Sequence, residues 1–212
     1  MDADEFVDAV QDRNKTELSR LGSSKSLYAD TDGEMEPEAV LRAAADAEHA
    51  AAETFAAWAE AAAAAGDEAA AEAFEACAAE ERDHYEQVAA ELDDHEPGTA
   101  VPAIQAHLRD VEGTTERLGA LVGRTLVAEK SKEQTTGFFV GQAKPGLASL
   151  FRGLGGDLDE QLSRATALLA DRCESEEAWE RALAAADAAV GVAYEEYTER
   201  LESMGVNPKP VC

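Results

Sequence analysis

Lysine is scarce in this 212-residue chain, limited to Lys15, Lys25, Lys130, Lys132, Lys144 and Lys209. Lys and Arg together number 18 against 45 Asp and Glu, a formal net charge of −27. So negative a surface repels nucleic-acid phosphates and anionic headgroups, so neither nucleic acid nor membrane is an expected partner. Little lysine, much alanine and a large acidic excess are the composition expected of a protein adapted to a high-salt cytosol. Cysteine is sparse too: Cys77, Cys173 and Cys212 cannot build a disulfide framework or a four-thiolate metal site within one chain. Long apolar runs are missing, and a membrane-spanning helix needs about 18 such residues. The acidic start Met1-Asp2-Ala3-Asp4-Glu5 lacks the basic, then apolar, pattern of a signal peptide, so a cytoplasmic location is expected. No stretch alternates apolar and polar residues with a period of two, so β-sheet is not expected.

What is present is alanine-rich helical periodicity, which argues against disorder despite the charge. Residues 1–34 read as an N-terminal arm, with an amphipathic helix over 2–21 marked by Phe6, Val10, Leu18 and Leu21 and a breaker at Gly22-Ser23-Ser24-Lys25-Ser26. Residues 35–173 read as the main all-α domain. Its helices are expected over 37–65, opened by Pro37, then from 67 to about 92, over 102–143 and over 147–173. Gly66-Asp67 and Pro145-Gly146 make short connections, so two antiparallel hairpins are expected, joined by the longer linker around Pro97-Gly98. Residues 174–204 form one more helix, capped by Ser175, whose stripe from Trp179 to Met204 suits packing on the bundle or on a second subunit. Residues 205–212, with Pro208 and Pro210, form a non-helical tail.

The chemistry lies on the inward stripes. Core-facing positions recur at gaps of three and four. On 37–65 they are Leu41, Ala44, Glu48, Ala51, Phe55 and Trp58, and on the next helix Phe74, Cys77, Glu81, His84 and Val88. On 102–143 they include Thr125, Glu129, Lys132 and Phe139, and on 147–173 Phe151, Leu154, Leu158, Gln161 and Ala165. Each inward carboxylate needs a partner, and several converging ones repel each other unless a cation sits among them. Bundle di-metal sites take one Glu from each of two helices and a Glu-x-x-His from each of the others. Glu48 and Glu129 are the single glutamates here, and Glu81-Arg82-Asp83-His84 is one Glu-x-x-His. Where the second would stand there is Leu158-Asp159-Glu160-Gln161.

These residues resemble the rubrerythrin and ferritin-like superfamily. Its pattern of a Glu, an aromatic at plus seven and at plus ten, then Glu-x-x-His on the next helix is matched by Glu48, Phe55, Trp58, Glu81 and His84. A weaker second copy runs through Glu129, Phe139, Leu150-Phe151, Leu158 and Gln161, as an internal duplication with eroded ligands would leave. The resemblance covers roughly residues 37–173. It implies a ferritin-like four-helix bundle, iron or manganese held by Glu48, Glu81, His84 and Glu129 with Glu81 bridging, a homo-oligomer such as a dimer, and a peroxide- or oxygen-handling oxidoreductase fed by an electron donor. The chain departs from the family in having Lys132 where a second carboxylate is usual, and in lacking a rubredoxin-like four-cysteine module.

A metal-free reading of the same stripe stands beside it. Lys132 could pair with Glu129, Glu81 or Glu48, and protonated His84 with another, giving a buried ionic network that sets register. The module would then be a non-catalytic scaffold or regulatory partner. Cys77, one turn before Glu81, and Cys173 read as small buried residues, and Cys212 as an exposed thiol. His95 and His107 are expected on the surface.

Overall fold

Gly66, at φ 76°, turns the chain sharply between the first two long helices, and Asp67 then caps the second by accepting a hydrogen bond from the Ala70 amide. These helices are α4 (Pro37–Ala64) and α5 (Glu68–Ala89) of a computed structural model that describes residues 1–209; Cys212 lies outside the described residues. The other helices among the described residues are α1 (Ala3–Arg13), α2 (Lys15–Leu21), α3 (Ser24–Asp30), α6 (Ala103–Asp110), α7 (Thr114–Gly141), α8 (Pro145–Arg172) and α9 (Glu176–Ser203). No strand occurs among them, and no helix there is long and apolar enough to cross a membrane.

The fold is all-α. The hairpins α4–α5 and α7–α8 form a four-helix bundle of the ferritin-like kind, with the other helices around it. Three local expectations change. The N-terminal helix breaks at Asn14 into α1 and α2, where the Asn14 amide bonds Val10 and Asp187. The serine-rich breaker is itself the start of α3. The helix expected over 102–143 is two helices, parted at Gly113, whose φ of 85° suits glycine.

Helix α9 lies along α7 at very close range. A Cβ added at Gly119 or Gly123 would overlap the backbone of Ala182 or Ala186. Small residues on both helices therefore let the backbones touch, and α7 is covered from two sides, by the bundle and by α9. From Leu118 to Leu126 every residue of α7 is buried. Helix α1 packs against α8 and α9, with the Phe6 and Trp179 rings 5.5 Å apart.

The apolar core is in two parts. One contains Phe55, Trp58, Phe74, Cys77, Leu118 and Leu169. The other contains Val40, Leu41, Val88, Phe139, Phe151 and Leu154. Between them, on all four bundle helices, lies a layer of buried polar side chains: Glu48, Glu81, His84, Arg124, Lys132 and Gln161.

Candidate metal centre

Helix α4 brings Glu48 into this layer from between Ala45 and Ala51, each wholly buried in a different part of the core. Helix α5 brings Glu81 and His84, three residues apart and so on one face. All three residues are at most 1 % exposed, and one ligand-type atom from each lies within 4.8 Å of the others. Glu48, Glu81 and His84 thus form a buried cluster with the make-up of a candidate metal site.

The fourth expected ligand is elsewhere. Glu129 is half-buried and outside the cluster, near Lys130, Asp159 and Glu133. Desolvation raises its pKa, opposed by Lys130 and aided by the two acids. The α7 residues that do reach the cluster are Arg124 and Lys132. The helical spacing on α7 passes through Thr125, one residue from Arg124. Thr125 is indeed buried, but its hydroxyl donates to the Leu121 carbonyl of its own helix. With α7 covered on two sides, burial does not set the phase of its inward face.

Both cations are spent on the carboxylates. Arg124 donates to both oxygens of Glu81, at 2.6 Å and 2.8 Å. Its guanidinium also lies 5.3 Å from the centroid of the Phe55 ring. Gln161 donates its amide to the same Glu81 at 2.7 Å and accepts from Arg124 at 3.4 Å. Lys132 forms an ion pair with Glu48. Two buried carboxylates thus meet two buried cations, and the inner layer is neutral before His84 is counted.

His84 bridges outward. Its Nε2 lies 3.0 Å from Asp157 on α8, and its Nδ1 lies 3.8 Å from the second oxygen of Glu48. That Glu48 oxygen and His84 Nδ1 are buried without a hydrogen-bond partner among the described residues. Burial works against charge on His84, yet the Glu48 and Glu81 carboxylates outweigh it and raise its pKa above the usual value. Burial likewise opposes ionised Glu48, but Lys132 and His84 hold its carboxyl well below the usual range. Arg124 stays charged because Glu81 outweighs its desolvation.

A di-metal centre does not fit this donor set. Glu81 has both oxygens engaged, Glu48 has one engaged, and Leu158 offers no ligand atom. Within this donor set the second Glu48 oxygen and His84 Nδ1 face each other without a hydrogen-bond partner among the described residues.

Cys77 is wholly buried one turn before Glu81, with Arg164 Nη1 3.4 Å from its sulfur. Burial pushes its thiol up to about 11, against the pull of Arg164, so it is a protonated core thiol at neutral pH. Cys173 is buried and also raised. His95, expected on the surface, is folded against Asp46 of α4 with its side chain 3 % exposed.

Asp157 and Arg124 are the site residues that sequence reasoning missed. The signal for Asp157 was its position four residues before Gln161, on the same helical face. Compared with protein-family models, with curated proteins and with solved structures, the chain matches none of them.

Proposed function

We propose that this chain is a non-catalytic ferritin-like module in which a buried ion-pair layer takes the position that a di-metal centre has in rubrerythrin-like bundles. It would serve as a scaffold or regulatory partner, presenting α1–α3, α9 and the tail to other chains. The observation that carries this reading is the two-point grip of Arg124 on Glu81. A guanidinium there satisfies the carboxylate that would otherwise bridge two ions, and it cannot lose its proton to make room. Elemental analysis tests it. Protein purified without chelators, then loaded anaerobically with ferrous iron and desalted, should hold less than about a tenth of a metal per chain. One or more bound ions per chain would overturn the reading.

A second reading is favoured by the facing, unpartnered Glu48 oxygen and His84 Nδ1. Here Glu48, Glu81 and His84 hold a single iron or manganese ion, which requires neutral His84 and a displaced Lys132. Such an ion would supply the redox chemistry of a peroxide- or oxygen-handling oxidoreductase. The same loading experiment separates the two.

A further inference from the structure

A half-enclosed cavity of about 410 Å³ opens beside the polar layer, between α3, α4, α7, α9 and the chain leading into α6. That volume is in the range of small-molecule sites. Ala44, Ile104 and Val127, each partly exposed, give it apolar walls, and Lys132 with Glu48 forms its inner end. Its charges are unevenly satisfied. Each basic group on the wall already has a carboxylate: Lys132 has Glu48, Arg124 has Glu81, and Arg200 has Glu196 at 2.7 Å. Asp46 faces His95 and receives the Gly98 amide. Asp30 and Asp32 remain, lining the cavity without an ion pair among the described residues.

We propose that this cavity binds a small organic cation, with its ammonium on Asp30 and its apolar body against the partly exposed Ala44, Ile104 and Val127. An anion would meet the two free acids and find no unpaired base, so the charge pattern selects one sign. The state of Asp30 agrees. Its accessible surface lines the cavity, and desolvation there raises its pKa to about 6, with Arg200 pulling it down and Glu196 pushing it up. A cation on this carboxylate would favour its ionised form, so binding near pH 6 should release a proton. The site is independent of metal: an ion-pair layer or a metal at Glu48 would leave Asp30 and the apolar walls in place.

The probe is 1-naphthylmethylammonium, with 1-naphthylacetate as the anion of similar body, titrated calorimetrically into the full chain in potassium chloride. The ammonium should bind one per chain with a Kd below about 1 mM, and the carboxylate at least about tenfold more weakly. Repeating the titration at pH 6 in buffers of different ionisation enthalpy should show proton release. Asp30→Asn should weaken the ammonium about tenfold and abolish the proton release. Ala44→Trp, which fills the cavity, should abolish binding, with circular dichroism confirming that the variant is folded. Absence of saturable binding by the ammonium, equal binding of the carboxylate, or an Asp30→Asn variant that binds as wild type would each overturn the proposal.

Discussion

Arg124 of α7 and Glu81 of α5 meet across the bundle in a paired contact, both nitrogens of the guanidinium fork facing both oxygens of the carboxylate. Both residues are buried, at 5 % and 0 % exposure, so neither side chain can turn to water if the other is removed. Their coupling is therefore measurable.

Arg124→Met should destabilise the fold by about 3–5 kcal/mol, because it strands a buried carboxylate. Adding Glu81→Leu should recover most of that loss, since an apolar pair leaves no charge unpaired. Urea unfolding of the two single variants and the double variant gives the cycle. Additive losses would show that the pair is not coupled.

Stability should fall at both ends of the pH scale, for opposite reasons. Glu48 has a folded pKa well below its ordinary 4.5, so its contribution is complete above that value and is lost as pH falls through the folded pKa. His84 has a folded pKa above its ordinary 6.5, so its contribution is complete below 6.5 and is lost as pH rises through the folded pKa. Denaturation curves from pH 3 to 9 should show both limbs, and His84→Gln should remove this part of the alkaline one. An alkaline limb unchanged in that variant would assign it to another group.

Gly119→Ala combined with Gly123→Ala should cost about 1–3 kcal/mol or more, since the added methyl groups overlap the Ala182 and Ala186 backbone. Hydrogen exchange should show the loss concentrated in α9. Uniform loss of protection over α4 and α5 would contradict the packing described.

Restoring a metal site should require clearing the cations as well as adding ligands. A chain carrying Lys132→Glu, Leu158→Glu and Gln161→His should remain poor in iron while Arg124 holds Glu81. Adding Arg124→Ala should raise binding to about one iron or more per chain. Tight binding by the triple variant alone would mean that Arg124 yields readily.

With a net charge of −27, the chain should gain stability as potassium chloride rises from millimolar to molar concentrations. Thermal unfolding followed by circular dichroism checks this, and a melting temperature independent of salt would speak against salt adaptation.

How far the site could be read from sequence depended on how each helix is covered. Helices α4 and α5 show polar faces outward, as at Glu60, Glu72 and Glu86, so their stripes fixed Glu48, Glu81 and His84. Helix α7 has no such exposed face from Leu118 to Leu126, and a stripe without a polar side has no phase. The spacing of three and four therefore runs through Thr125 and Glu129 on α7 and passes Arg124 by. The break at Gly113 was hidden for a related reason: Val111 and Thr115 continue the helical spacing across it. A covering neighbour such as α9 is a property of the tertiary fold, and the local pattern of α7 does not carry it.

The polar layer also works as a ruler. Arg124 and Lys132 stand eight residues apart on α7, and each has a partner at one height only, Glu81 and Glu48. Sliding α7 along its neighbours by one turn, about 5.4 Å, would carry both cations off their carboxylates and into apolar surroundings. The large apolar side chains of the bundle lie in the two clusters on either side of this layer. Two paired charges per chain supply alignment within it, and they exact a mismatch cost in either direction of sliding.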